Sequence, residues 1–374
     1  MKTNSFSYGN DVIDRVFTNA LPITSHQPNR CMHSFAAQQF SPVISSIKPL
    51  GEGLINDTFL VTSPESCFVL QRINALVFPA PELIIDNLHQ LNQHLSQKAS
   101  KLRLPKLLET MSGQDFFRDD EGEVWRALSF VANSESLENL TSLKVAAQVG
   151  FALGHFHCLV SDLDPDLLHD TLPNFHIAPD YLQQYQQVLA QASIFSEDDY
   201  CADFIAQHAH FTADLETAKQ QGLLQLRVTH GDPKLNNFLF DKDSGEIISL
   251  IDLDTVKPAL VHYDIGDCTR SCCHDKTTGL FNVAVCEVIL EQYLQETRTF
   301  FTSHDYDYLY PAIRLIPFEL GLRFYTDYLQ GNRYFKVTEP KQNLQRAIEQ
   351  FKLCASIIEQ EAAIQRVITR LQNG

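Results

Sequence analysis

Positive charge is scarce in this chain. Lys and Arg number 29 against 46 Asp and Glu, a formal net charge of −17 over 374 residues. Nucleic acid and anionic membrane surfaces would be repelled, so neither is an expected partner. The nine cysteines contain no Cys-x-x-Cys pair, and the vicinal Cys272-Cys273 has no His at finger spacing, which removes a zinc-finger reading. They read as reduced, mostly buried small hydrophobes, and the odd count fits a cytoplasmic chain better than a secreted one. The first thirty residues are polar and lack an apolar signal core, and no run approaches eighteen apolar residues. Repeats and low-complexity tracts are missing as well. What is there is an ordinary globular composition, 44% hydrophobic and 20% charged, in a chain long enough to bury a sizeable core.

The pattern changes along the chain. Residues 1–40 read as an irregular or helical N-terminal extension. From Ser41 the sequence is β-like, with strands expected over 42–50, 59–62, 67–72 and 124–131 and a helix over 80–96, where Pro81 suits the first turn. After Val131 helices dominate, the clearest over 143–160, 179–191 and 340–371. Residues 41–131 are therefore expected to form a nucleotide-binding N-lobe, an antiparallel sheet plus a helix. Residues 132–374 are expected to form a C-lobe with a catalytic loop, metal site and acceptor site. The fold class is α+β: a two-lobed, protein-kinase-like fold with a small β-rich N-lobe and a larger, mainly helical C-lobe.

His230-Gly231-Asp232-Pro233-Lys234-Leu235-Asn236-Asn237, followed by Ile251-Asp252-Leu253-Asp254, carries the chemistry. Phosphoryl transfer from ATP needs a carboxylate beside the attacking hydroxyl and oxygen ligands for Mg²⁺ on the phosphates. A kinase loop supplies them as an Asp, an Asn five residues on, and an Asp after a hairpin. Asp232 is the candidate catalytic residue, and Asn237 and Asp252 are the candidate metal ligands. Strands over 238–240 and 247–251, joined by a turn at 241–245, return Asp252 to Asn237. His230 is expected to brace the loop. Asp254, read on the same strand face as Asp252, either binds a second cation or caps the next turn. Asp264, Asp267 and Arg270 open a helix nearby, with Asp264 as loop support and Arg270 directed at substrate or phosphate.

Upstream, Gly51-x-Gly53 sits between two strands, where glycine backbone can approach phosphate oxygens. A protein kinase holds the α- and β-phosphates with a Lys on the third strand. Here that strand ends Val69-Leu70-Gln71-Arg72, without one. Gln71 and Arg72 point to opposite faces, so at most one reaches the nucleotide, and Arg72 is the favoured candidate beside Gly51 and Gly53.

These motifs resemble the aminoglycoside phosphotransferase/choline kinase superfamily, and within it the N-acetylhexosamine 1-kinases. The narrower resemblance rests on Gly51-x-Gly53-x-Ile55-Asn56-Asp57-Thr58, Leu70-Gln71-Arg72-Ile73-Asn74 and Tyr263-Asp264-x-Gly266-Asp267-x-x-Arg270. It rests most on Leu322-Arg323-Phe324-x-Thr326-Asp327-Tyr328-Leu329-x-Gly331-x-x-Tyr334-Phe335, which generic antibiotic kinases lack. The resemblance implies ATP- and Mg²⁺-dependent phosphorylation of the anomeric hydroxyl of N-acetylglucosamine or N-acetylgalactosamine. Asp232 would contact the sugar hydroxyl, and Arg323 and Tyr334 would hold the sugar. Pro233, Ala259 and Ser271 depart from the family pattern. Another acceptor in the same fold (an aminoglycoside, a choline-like alcohol, another sugar) is the alternative, and a catalytically dead nucleotide-binding regulator the remote one. Either a monomer or a homodimer fits.

Overall fold

The computed structural model describes residues 32–51, 55–191 and 200–374. α1 (Met32–Phe40) precedes an antiparallel sheet of β1 (Ser46–Pro49), β2 (Asp57–Thr62) and β3 (Cys67–Arg72). α2 (Pro81–Leu95) follows, then β4 (Leu107–Leu108), β5 (Phe117–Arg118) and β6 (Val124–Ser129). β6 pairs with β3, and both β4 and β5 pair with β6. Strand alternation gives the sheet two apolar faces. Phe59, Val61, Phe68, Leu70, Trp125 and Ala127 point outward, where α1 covers them with the fully buried Ala36 and Ala37. His33 stacks on Phe59 at 5.0 Å. The described end of the expected extension is thus built into the N-lobe. On the inner face Val124 joins Ile84, Leu88 and Leu91 of α2 in the main core.

A short three-stranded sheet leads into the C-lobe: β7 (Ser134–Ser136) pairs with β9 (Phe238–Asp241), which pairs with β10 (Ile247–Leu250). β8 (Arg227–Thr229) pairs with β11 (Lys257–Ala259), and β12 (His274–Asp275) with β13 (Leu280–Phe281). The helices are α3 (Leu143–Val160), α4 (Ala178–Gln191), α5 (Tyr200–His208), α6 (Asp214–Gln220), α7 (Val261–Cys272) and α8 (Val283–Thr297). α9 (Ser303–Asp307), α10 (Leu309–Leu329), α11 (Gln342–Glu359) and α12 (Glu361–Asn373) complete the lobe. The two-lobed α+β architecture is the one the sequence pattern implied. Of the described cysteines none is in a disulfide, and all are buried except Cys67 and the half-buried Cys158.

α3 is long and apolar enough to span a membrane by length and composition, although Lys144, Gln148, His155 and His157 interrupt its apolar run. Its apolar residues serve the core instead. Val149, Leu153, Phe156 and Val160 are buried in the same cluster as Ile289, Leu290 and Tyr293 of α8. The helices approach this closely because α3 carries Gly150 and Gly154 at the crossing. A Cβ on Gly150 would overlap the Ile289 carbonyl, and one on Gly154 would stand 2.7 Å from the Tyr293 oxygen. Two expectations fail locally. The first strand shrinks from 42–50 to Ser46–Pro49, ending on a proline that cannot donate to a ladder. The single helix over 340–371 is two, broken at Gln360, whose side-chain amide donates to the Phe281 carbonyl (2.9 Å). The break turns Ile364 and Ile368 of α12 into the core.

Gly150→Ala decides between propensity and packing. In an exposed helix the change stabilises by about 0.5–1 kcal/mol; here overpacking should destabilise by about 1–3 kcal/mol. Urea unfolding at constant m-value reads the sign, and a stabilised variant would refute the glycine-mediated crossing.

Candidate functional site

The loop after β8 is held from behind by one carboxylate. Asp264, in the first turn of α7 and fully buried, accepts from the His230 amide (Oδ2, 2.6 Å) and the Gly231 amide (Oδ1, 2.8 Å). Its Oδ2 also lies 2.8 Å from His157 Nε2 on α3, whose Nδ1 is 2.8 Å from the Tyr293 hydroxyl on α8. Burial alone would push the Asp264 carboxyl up, but the hydrogen bond and charge of His157, with the hydrogen bond from the His230 amide, outweigh it and hold it below the usual carboxylate range. Gly231 has φ +89°, and a Cβ there would stand 2.5 Å from the Thr255 carbonyl, so the chain passes only as glycine. His230 Nε2 donates to the Ile251 carbonyl (2.9 Å), which leaves Nδ1 to accept from the Asp232 amide (3.3 Å). Both ring nitrogens are engaged and burial depresses the His230 pKa, so the ring is a neutral brace.

Asp232 stands at the front of this loop, with Lys234 Nζ 2.5 Å from its Oδ2. Burial works against the Lys234 charge, but Asp232, Asp252 and Asp267 overcome it and raise its pKa. The Asn237 amide nitrogen donates to the Asp232 carbonyl (2.7 Å), and this orientation leaves its Oδ1 with no donor among the described residues. The Ile251 amide donates to the Asn237 carbonyl at 2.9 Å, the last rung of the β9–β10 hairpin, and Asp252 follows at once. Asp252 adopts φ +67°, outside the strand, and its carboxylate makes no hydrogen bond among the described residues. Crowding in the cleft, then the charges of Asp254 and Asp232, push its carboxyl up. Solvent still reaches Asp252, so the repulsion among carboxylates is the part of that shift that persists. An uncommitted amide oxygen beside a carboxylate among like charges suits a hard cation. No group of three or more His, Cys, Asp or Glu among the described residues can hold a metal unaided.

Asp254 does not share a strand face with Asp252, because residues 253–255 form a 3-10 turn. It is buried and pairs with Arg126 of β6, and its Oδ2 accepts from Asn56 Nδ2 at 2.6 Å. Arg126 also donates to Gln71 Oε1 (Nη2, 2.7 Å; Nε, 3.1 Å), while Gln71 Nε2 donates to Thr58 Oγ1. Arg72 lies on the other face of β3. It is bound to Asp57 (Nη2–Oδ2, 2.5 Å) and lies 3.7 Å from Glu123, on the side covered by α1, so it does not face the cleft. Gly51 has the left-handed φ of +70° expected of a turn glycine; Gly53 lies outside the described residues.

A second region adjoins the loop. Asp327 on α10 accepts from the amides of Arg333, Tyr334 (both 2.8 Å) and Phe335 (3.0 Å), and from Asn343 Nδ2 on α11. With Gly331 at φ +84°, this folds the chain back so that Tyr334 and Phe335 meet Arg323 one turn earlier on the same helix. The Arg323 guanidinium lies 4.9 Å from the Tyr181 ring, 5.3 Å from Phe175, 5.6 Å from Phe335 and 5.9 Å from Tyr334. Two adjoining pockets share Tyr181, Arg323 and Tyr334 as lining. Glu319 lies 4.0 Å from Arg323 and 3.0 Å from His176 Nδ1, and His176 Nε2 is 3.1 Å from the Gly231 carbonyl. A side-chain chain thus runs from the catalytic loop to the pocket. Arg270 pairs with Asp267 (2.8 Å), and Asp267 and then Asp232 hold its charge against burial.

The model of the phosphotransferase enzyme family matches residues 46–297, two thirds of the chain. The chain belongs to that family. Solved structures share its fold at low identity. An aminoglycoside phosphotransferase from Alicyclobacillus acidocaldarius superposes with a TM-score of 0.62 at 14% identity, over 91% of this chain and 96% of that one. A spectinomycin phosphotransferase in complex with ADP and spectinomycin gives 0.55 at 13%, over 88% and 98%. A Plasmodium vivax ethanolamine kinase gives 0.54 at 13%, over 84% of each.

In this phosphotransferase the fold brings Asp232, Asn237, Asp252, His230, Asp264 and Arg270 around one loop, and Arg323 with Tyr334 around the adjoining pocket. Arg72 is left apart from both. Sequence reading gave Lys234, Arg126 and His176 no role in the site. Lys234 was legible as a cation two residues after Asp232; the others carry no local signal. Ser271, flagged as a departure beside the acceptor, accepts from the Leu235 amide (3.0 Å) and so props the loop.

His176 faces an acceptor with each nitrogen, a carboxylate and a carbonyl. Burial opposes its charge, but Glu319 prevails and raises its pKa above the ordinary 6.5. Stability from this pair is therefore fully present below pH 6.5 and is lost as pH rises through the raised value. Glu319→Gln should remove that dependence: the melting-temperature gap to the native chain should be widest near pH 6 and narrow by pH 9. A gap constant over that range would count against the charged pair.

Proposed function

We propose that this phosphotransferase moves the γ-phosphoryl group of ATP to the anomeric hydroxyl of an N-acetylhexosamine, giving the sugar 1-phosphate. Asp232 receives or orients the hydroxyl proton. Lys234, 2.5 Å from that carboxylate, is the cation that meets the charge gathering on the moving phosphoryl group. Asn237 and Asp252 hold Mg²⁺, which when bound neutralises the phosphate oxygens. Gly51, at its left-handed φ, opens the segment that approaches the phosphates.

The Arg323 guanidinium carries the choice of acceptor. It occupies the ring of aromatic faces at the pocket itself, a place that a substrate ammonium would otherwise take. A cationic aminoglycoside or choline-like alcohol would meet like charge there. A neutral sugar with an acetamide carbonyl offers acceptors to Arg323 and a flat face to Tyr334. The relatives named for amine-bearing acceptors and the −17 net charge favour the other reading, an amino alcohol or aminoglycoside.

ADP release with Mg²⁺-ATP over N-acetylglucosamine, N-acetylgalactosamine, glucose, choline and kanamycin separates them. Turnover is expected on an N-acetylhexosamine with loss of its reducing end. Asp232→Asn should lower kcat by about 10²–10⁴-fold. Arg323→Gln should raise the acceptor KM about tenfold or more, with the nucleotide KM unchanged. Turnover on kanamycin or choline alone would sink the sugar assignment. Nucleotide binding without turnover on any acceptor would revive the regulator.

A further inference from the structure

The third strand lacks its lysine, yet the cleft face of the sheet holds a cation. We infer that Arg126, on β6, is the phosphate-binding cation of this enzyme, delivered from the neighbouring strand. The inference rests on the ATP reading above. Arg126 and Gln71 are direct partners in the β3–β6 register, on the face that looks toward the metal residues. The Arg126 side chain is 1% exposed. Its Nε and Nη2 are committed, to Gln71 Oε1 and to Asp254 Oδ1. Its Nη1 is buried with no hydrogen-bond partner among the described residues. A buried guanidinium donor with no acceptor is destabilising, and a phosphate oxygen is the acceptor that would satisfy it.

The surroundings point to the same ligand. Asp254 lies two residues beyond Asp252 and also receives Asn56, which ends the segment that opens with Gly51. Arg126 and Asn56 therefore meet on one carboxylate, two residues beyond Asp252. Neither β3 candidate can take the role: Gln71 is neutral, and Arg72 is tied to Asp57 on the far face. Gln71 instead orients Arg126 by accepting two of its N–H groups.

The test compares ATP, in Mg²⁺, with adenosine by calorimetry on the full chain, with melting temperatures alongside. Arg126→Gln should lose about tenfold or more in ATP affinity, while adenosine stays within about twofold. Arg126→Lys retains the charge but not the fork, so a several-fold loss confined to ATP is expected and covers the case in which the Gln variant does not fold. The added change Gln71→Lys should restore ATP affinity to the Gln variant, because cross-strand partners reach the same place. If the variants weaken ATP and adenosine alike, or neither, Arg126 is only a strut between the lobes and the inference is overturned. If the native chain binds neither nucleoside nor nucleotide, the ATP reading falls first and this assignment with it.

Discussion

The Asp264 carboxylate is the constraint on which the rest of the site depends. It is sealed from solvent, and it holds two consecutive amides of the catalytic loop from one side and His157 from the other. The loop cannot supply these acceptors itself, since Gly231 runs at positive φ against Thr255 and the ladder between β8 and β11 ends at Thr229. Removing such a carboxylate would leave buried donors unpaired, the costly outcome in a low-dielectric interior. α3, α7 and α8 thus meet the loop at one atom group, and the glycine crossing of α3 on α8 brings His157 and Tyr293 within reach of it.

Electrostatics organise the cleft by pairing. Lys234 lies on Asp232, Arg270 on Asp267, Arg126 on Asp254 and Arg323 near Glu319. The chain carries a net charge of −17, and under the proposed function these paired cations are the groups that would meet a polyanion. The Arg126–Asp254 pair and the Asn56 bond also tie the sheet to the segment after Asp252, so the cation proposed for phosphate is at the same time a contact between the lobes.

How legible each part was depends on sequence distance. Asp232 and Asn237 sit in one loop, and Asp252 returns on a hairpin whose turn residues are explicit. Arg323 and Tyr334 were legible through family likeness, but the reason they meet was not. That reason is Asp327, an unremarked Asp in the motif that caps three successive amides. Arg72 was misplaced because a strand pattern alone does not say which face is covered. α1 supplied the answer from a segment that looked like an extension. The long C-terminal helix was misread because its break at Gln360 depends on a distant carbonyl, that of Phe281.

By itself, then, the sequence determined the two-lobed fold and the loop chemistry, because periodicity, turn residues and a short hairpin are local properties. Only tertiary structure decided which cation enters the cleft and what surrounds Arg323. Arg126 meets Gln71 across fifty-five residues of chain and Asp254 across a hundred and twenty-eight. His176 meets Glu319 across a hundred and forty-three. Such meetings follow from strand register and helix packing, which no single segment encodes.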